Sequence, residues 1–358
     1  MLRTRFKDVI NFLIVFLSVY IVLVYLLIYF ETEDPGLNSP LNSFWKGAWY
    51  SVVTISSVGY GDYVPSSTKG KIVGFIFVLS SIGLYGFVVS KLTAYIGIIN
   101  ENKRMGFNGT KLENHTVIIG WDAYSKSVAD QLVEVGYKIA IVTRKKESLD
   151  LIYEHFSNHQ KQVFVLFSEF DNYDTLRKAN IHKAAMVFIN TGDDSQKLVH
   201  TLNMKKEFPE TKYIVTLDNT DLKETFKTAG VTYPLSKYEL SSKLLASYIF
   251  EPHVAALGEE LLSYAKTDDD YDIKEYLIID SNPLIGQDYN SVFFDMKKRF
   301  NTVLLGISKL SDGERILIKN PEENVLIGKG DYLILICNGK HEAPITSFFG
   351  IEEGFKHF

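Results

Sequence analysis

The sequence predicts two units built for different solvents. The first is a membrane-embedded helical unit, with two spanning helices around a re-entrant helix and a glycine-containing turn. The second is a Rossmann-like α/β domain ending in a small α+β lobe. Three observations lead there. The first hundred residues hold two long uncharged apolar runs. Between them lies a shorter aromatic stretch that ends in S-V-G-Y-G-D. Beyond Gly109, strand patterns alternate with helical ones, as in a parallel doubly wound sheet.

The first run, Val9 to Phe30, has no charge and only Asn11 and Ser18 as polar breaks. Its length crosses a hydrocarbon core of about 30 Å at about 1.5 Å per residue. Arg3, Arg5 and Lys7 precede it, as in a signal peptide, but the run exceeds an h-region and no small-residue cleavage site stands before Glu31, so an anchor is expected. A second uncharged run, Ile72 to Ser90, is bounded by Lys71 and Lys91. Spanning helices are expected over about 9–30 and 71–99 of a 1–100 membrane unit. The intervening Asn42 to Ser57, with Phe44, Trp45, Trp49 and Tyr50, is too short to span. A re-entrant helix over about 43–56 fits it, with the aromatics near the interface. The chain then returns to the surface through Pro65.

Lys and Arg flank the outer ends of both spans (Arg3, Arg5, Lys7; Lys91, Lys103, Arg104, Lys111), whereas Glu31, Glu33 and Asp34 follow the first. Both termini are therefore expected on the cytoplasmic side of a multi-pass protein of the inner (plasma) membrane, with the lipid bilayer as a partner. Lys46, Lys69 and Lys71 run against this bias without reversing it. The outer acids either concentrate cations or form a solvated loop.

In Thr54 to Asp62, Gly59 and Gly61 alternate with Val58 and Tyr60. Glycine reaches dihedrals that let successive carbonyls point one way. Alone, G-Y-G-D could be an ordinary turn; between two spans it resembles the T-V-G-Y-G filter of potassium channels, where carbonyl rings replace the hydration shell of the ion. Ser57 stands where that family has threonine, keeping the hydroxyl and losing the methyl. The order of helix, pore helix, filter and helix resembles the two-helix potassium channels. This resemblance implies a homotetramer around a filter of Ser57, Val58, Gly59, Tyr60, Gly61 and Asp62, holding potassium ions. No arginine-rich helix precedes the pore, so no voltage sensor is expected. It also implies a gating hinge in the second helix, at Ser81, where calcium-gated prokaryotic relatives carry glycine, or at Gly83 and Gly86; these glycines serve equally for close helix packing.

In the polar remainder, strands are expected at Thr116 to Gly120, Lys138 to Thr143, Val163 to Phe167, Ala185 to Asn190 and Tyr213 to Leu217. Helices are expected at Ser125 to Val135 and around Tyr173 to Ala179, Ser195 to Phe208 and Asp221 to Ala229. Such a sheet binds ligands beyond the carboxyl ends of its strands. A dinucleotide fingerprint would begin at Gly120, but Asp122 and Ser125 replace its second and third glycines, and the aspartate repels a pyrophosphate. The second strand ends in Thr143, Arg144, Lys145 and Lys146 in place of a ribose-binding acid; these favour a phosphate or solvate a helix start. An adenine nucleotide would be held by Gly120, Asp122, Ser125 and Arg144.

The stretch from about Asn114 to Lys340 resembles the RCK domain, the regulator of potassium conductance. The likeness rests on G-W-D at Gly120, D-T-L-R-K-A-N-I from Asp174 to Ile181, K-A-A-M-V-F-I-N, A-G-V-T-Y-P-L-S from Ala229 to Ser236, and the ending from Asn320 to Ile336. It implies a linker at 101–113, a Rossmann-like lobe at 114–236, a helical dimerisation connector at 237–266 broken near Pro252, a carboxyl-terminal lobe at 267–345 and a tail at 346–358. A calcium-activated relative binds its ion through three carboxylates, matched here by Asp194 and Asp218 with Thr216 in place of the third. The alternative is that Asp193 and Asp194 cap the helix starting near Ser195. The acids Asp268, Asp269, Asp270 and Asp272 read as a solvated linker or a metal cluster. The family builds a ring of eight such domains by RCK pairing, so four would come from a soluble copy, for which Met105 is a candidate start.

Together these imply a ligand-gated, potassium-selective channel with passive conduction, and no enzyme. A membrane-tethered NAD-dependent oxidoreductase is disfavoured by the broken fingerprint and the lack of a placed histidine or lysine with a partner carboxylate. A non-conducting regulatory protein of the same fold is the other alternative. A single cysteine, Cys337, excludes an intrachain disulfide and fits a reducing compartment. No basic patch interleaved with aromatics points to nucleic acid.

Overall fold

The computed structural model describes residues 2–33, 38–311, 314–321, 325–351 and 353–354, with side chains from residue 14 onward, that of residue 314 excepted. Asp34 and the side chains of Arg3, Arg5 and Lys7 lie outside the described residues. The chain divides into two compact units, Met1–Glu101 and Asn102–Phe358.

In the first unit, α1 (Leu2–Thr32) and α3 (Thr68–Arg104) enclose the short α2 (Phe44–Ile55). Both long helices contain stretches apolar and long enough to cross a membrane. They outrun their apolar cores because a helix satisfies its own backbone whether in lipid or water. Val24, Leu27, Leu41, Val73 and Phe77 form the buried centre of this unit. Much of the remaining apolar surface is exposed, including Val22, Tyr25, Phe75, Leu79 and Ile82. Such continuous apolar exposure belongs in lipid or against another protein surface.

Glu31 departs from the expected acidic loop. It is 1% exposed. Its carboxylate accepts hydrogen bonds from the Ser66 and Ser67 amides at 2.9 and 3.0 Å, from Ser67 Oγ at 2.7 Å and from Ser39 Oγ. A Cβ on Gly70 would lie 1.9 Å from Glu31 Oε1. Glu31 therefore neither concentrates cations nor solvates a loop; it anchors the turn entering α3, where unpaired amides favour an anion. Glu33, by contrast, is exposed and pairs with Lys69 at 2.7 Å.

The second unit opens with a six-stranded parallel sheet. Its elements in order are β1 (Thr116–Ile119), α4 (Ala123–Glu134), β2 (Ile139–Thr143), α5 (Glu147–His155), β3 (Val163–Phe167), α6 (Tyr173–Leu176), β4 (Met186–Ile189), α7 (Asp194–Glu207), β5 (Lys212–Leu217), α8 (Lys223–Thr228) and β6 (Tyr233–Ser236). The strand order is β3-β2-β1-β4-β5-β6. The order reverses between β1 and β4, which puts the switch point, and any crevice for a ligand, above those two strands. Apolar clusters pack around the sheet, with Val117, Val187 and Val215 in one and Ile118, Ile141 and Val165 in another. The expected strands form; α5 and β6 are additions. The expected helix at Tyr173 is α-helical only to Leu176, followed by a 3-10 turn to Ala179 that Asn180 ends in the left-handed region. The expected linker is partly structural. Helix α3 runs to Arg104, and Met105 is buried in the sheet's core, its carbonyl accepting from the Phe167 amide at 3.0 Å.

Two helices follow, α9 (Lys237–Phe250) and α10 (Pro252–Leu261), the second opening on proline as that residue favours. No residue of α9 is buried, and Leu240, Leu245, Ile249 and Phe250 are exposed. The last lobe is an antiparallel sheet, β7-β10-β8-β9, of β7 (Tyr271–Leu277), β8 (Val303–Ser311), β9 (Glu314–Lys319) and β10 (Tyr332–Asn338). Helices α11 (Tyr289–Phe300) and α12 (Gly339–Phe349) close its core, where Tyr276 and Phe349 stack at 4.6 Å. Helix α12 takes up the start of the expected tail. In the acidic run Asp268 and Asp269 are exposed, as in a solvated linker, whereas Asp270 accepts from the Lys266 and Thr267 amides and buried Asp272, within β7, pairs with buried Lys274 at 3.3 Å. Among the described residues, no three His, Cys, Asp or Glu side chains are grouped to hold a metal.

His115, at the entry to β1, is fully buried and bonds the Ala179 carbonyl through Nε2 at 2.9 Å. Burial lowers its pKa against the raising effect of that bond. The unfolded chain therefore takes up a proton near pH 6.5 that the folded one refuses, and stability falls as pH drops below about 6.5. Urea midpoints measured between pH 8 and 5 should show this loss, with a shallower slope in His115→Gln.

Candidate functional site

Two sets of side chains stand out, one in each unit. In the first, Ser57, Gly59 and Gly61 have φ of 58°, 58° and 73°, while the intervening Val58 and Tyr60 do not enter the left-handed region. Such an alternation is one that lets successive carbonyls point the same way. The amides are tethered behind: Ser57 donates to the Thr54 carbonyl at 3.0 Å, and Val58 and Gly59 both donate to that of Val53 at 3.1 and 3.3 Å. A residue expected only at the interface also holds the stretch. Trp49 of α2 donates from Nε1 to Asp62 Oδ2 at 2.8 Å, and its ring stacks with Tyr60 at 6.2 Å and 5°. The signal was its spacing, one helical turn before Val53 on the same helix. Serine at 57 adopts the left-handed conformation that glycine takes more cheaply.

Downstream, α3 is continuous through Ser81, Gly83 and Gly86. Ser81 is buried and its hydroxyl bonds the Val78 carbonyl at 2.6 Å, within its own helix. Nothing within this unit lies within 4 Å of a Cβ placed on Gly83 or Gly86.

The second set crowns the switch point. Gly120 has φ +100°, and a Cβ there would lie 2.2 Å from the Asn190 carbonyl, so the turns after β1 and β4 touch through it. Asp122 caps α4, accepting from the Ser125 amide at 2.7 Å and from Asn190 Nδ2 at 2.8 Å. Asn190 Nδ2 also reaches Ser125 Oγ at 2.9 Å, and Thr216 Oγ1 donates to Asn190 Oδ1 at 2.8 Å. The Asp122 carboxylate thus already occupies the helix start where a dinucleotide fingerprint receives pyrophosphate. Beside it, Thr191 Oγ1 is buried without a hydrogen-bond partner. Arg144 is exposed at the end of β2, its guanidinium 4.6 Å from the Phe170 ring. The edge of the same ring meets His200, whose pKa is lowered by burial and then by the Arg144 charge.

Asp194 and Asp218 come together one strand further on. Asp193 caps α7 through the Gln196 amide at 2.8 Å. Asp194 instead reaches across to the β5 end, accepting from the Asp218 amide at 3.0 Å and the Asn219 amide at 2.8 Å. Lys197 Nζ lies between the two acids, 3.0 Å from Asp194 and 3.1 Å from Asp218. Burial raises the Asp194 pKa, but the Asn219 and Asp218 amides and Lys197 outweigh it and hold the carboxyl below its usual range. Lys197 had no distinguishing feature in the sequence beyond standing three residues after Asp194.

Comparison with known proteins places both units. The "Ion channel" family matches residues 12–97, and the "TrkA-N domain" family matches residues 116–237. The calcium-gated potassium channel TvoK of Thermoplasma volcanium is 26% identical over 324 residues, 87% of each chain. Potassium channel protein 1 of Methanocaldococcus jannaschii is 22% identical over 240 residues, 66% of this chain and 70% of that one. Among solved structures, a GsuK channel bound to NAD aligns at a TM-score of 0.37 and 16% identity, over 98% of this chain and 61% of that one. With a filter-like turn between two apolar helices and a TrkA-N sheet after them, the chain is a potassium channel of the two-helix type with a carboxyl-terminal RCK domain.

Proposed function

We propose that this ligand-gated potassium channel conducts as a homotetramer through the carbonyl rows of Ser57 to Gly61, with Asp62 at their outer end and potassium ions in the rows. The observation that supports this is the alternation of left-handed residues at 57, 59 and 61. The apolar faces of α1 and α3 meet lipid and neighbouring copies, and both termini lie in the cytoplasm. Gating acts on α3 around Ser81, Gly83 and Gly86. The exposed apolar side of α9 and α10 pairs one RCK domain with another. A soluble copy beginning at Met105 would retain the residue that fills the sheet's core, and would supply the remaining RCK domains.

The regulatory ligand is an adenine nucleotide bound over the switch point. The buried unpartnered Thr191 hydroxyl supports this, since such a group is satisfied by water or by a ligand. Gly120 allows close approach, and Asn190, Ser125 and Asp122 shape the floor. Because Asp122 caps α4, Arg144 would receive the phosphates, as a planar guanidinium suits them. A bound nucleotide would bridge the turns after β1, β2 and β4. NAD is named with one solved GsuK channel and ADP with another. The test is thermal melting and potassium flux of the purified full-length channel with ATP, ADP and NAD. At a hundredfold excess over Kd the expected stabilisation is about 2.7 kcal/mol, absent in Arg144→Ala. No melting shift with any nucleotide at millimolar concentration overturns the nucleotide reading and leaves conduction standing.

A further inference from the structure

The calcium ion that the resemblance implies does not fit the acids that would hold it. Calcium takes about six to eight oxygen ligands at about 2.3–2.6 Å. Here two carboxylates converge, and the third position, Thr216, is buried with its hydroxyl donating to Asn190. Both Asp194 oxygens are already engaged: Oδ1 by Lys197 Nζ and the Asp218 amide, Oδ2 by the Asp218 and Asn219 amides. The amides take both directions on Oδ2, and the direction on Oδ1 that faces Asp218, which a cation would use, is held by the ammonium. The space between the acids is taken by the Lys197 ammonium, whose side chain is 1% exposed.

We propose that Lys197 is a tethered cation that replaces a divalent ion at this site, closing it to calcium and fixing the specificity of the sensor. Helical geometry explains the placement, because residues three apart share a face and Lys197 rises one turn above Asp194. The helix field does not: the first turn of α7 disfavours a cation. Among the described residues the two acids hold the charge there, and a buried ammonium persists when so paired. The clasp joins the turn after β4 to the turn after β5, a link that elsewhere an ion could supply reversibly. Covalent attachment makes it permanent, so regulation does not run through a divalent ion at Asp194 and Asp218. This inference is independent of the nucleotide reading.

The experiment uses the purified full-length channel, with calcium or magnesium chloride as the probe and radioactive calcium binding and thermal melting as readouts. In the wild type, any calcium binding should be unchanged by Asp218→Asn, a substitution at a half-exposed side chain. Lys197→Ala should melt lower in chelator, then gain at least tenfold in calcium affinity and recover part of the melting temperature with millimolar calcium. Adding Asp218→Asn should remove that gain. Should Lys197→Ala fail to fold, Lys197→Gln keeps a donor without the charge and is read the same way. Saturable wild-type calcium binding abolished by Asp218→Asn overturns the proposal, as does a Lys197 variant that folds and gains no calcium.

Discussion

Potassium flux into proteoliposomes is expected to fall to background when Gly61 is replaced by alanine. The backbone at Gly61 has φ +73°, and nothing lies within 4 Å of the added Cβ, so the cost is conformational and not a clash with a neighbour. A left-handed residue other than glycine costs about 1–2 kcal/mol, and in a homotetramer four copies multiply it. Relaxing that strain turns a peptide plane and takes a carbonyl out of the row. Trp49→Phe is the graded control: it removes the bond to Asp62 and keeps a ring beside Tyr60, so flux should drop several-fold and not vanish. Stopped-flow thallium or rubidium uptake reads both. Gly61→Ala retaining more than half of wild-type flux would sink the assignment of the conduction path.

The second large effect is expected at Glu31. Replacement by alanine leaves the Ser66 and Ser67 amides and the Ser39 hydroxyl without their shared acceptor. The abandoned Ser39 hydroxyl is buried and costs about 1–3 kcal/mol, whereas the exposed Ser66 and half-buried Ser67 amides turn in part to water, so a loss of about 2–4 kcal/mol per subunit is expected. Gly70→Ala should reproduce much of it, because the new Cβ would displace the carboxylate oxygen 1.9 Å away. The double variant should then be less destabilised than the sum, as residues sharing one contact are not additive. Denaturant midpoints of the detergent-solubilised protein measure all three. Additive losses would show that Gly70 and Glu31 act separately.

What the sequence determined by itself is local or periodic. Two uncharged runs gave helices long and apolar enough to cross a membrane, where a helix satisfies its own backbone. Alternating strand and helix patterns gave the parallel sheet, while the strand order that puts the crevice above β1 and β4 came only with the fold. Gly59 and Gly61 announced left-handed backbone because glycine pays least for it, and Pro252 marked the break between α9 and α10. Helix α11 was legible too, since Tyr289, Val292, Phe293 and Met296 recur at helical spacing, whereas Pro344 inside α12 reads as a helix breaker.

Only tertiary structure decided the side-chain partnerships, since they join residues far apart in the chain. Glu31 looked like a loop acid until Ser66 and Ser67 closed on it from 35 and 36 positions away. Trp49 looked interfacial until the chain turned back and brought Asp62 to its indole. Asp194 and Asp218 matched two of the three ligand positions of a calcium-activated relative, and a match of positions cannot see what stands between the side chains. Folding set the Lys197 ammonium there, and the energy of a buried charge depends on the groups within a few ångströms of it, which sequence order does not specify.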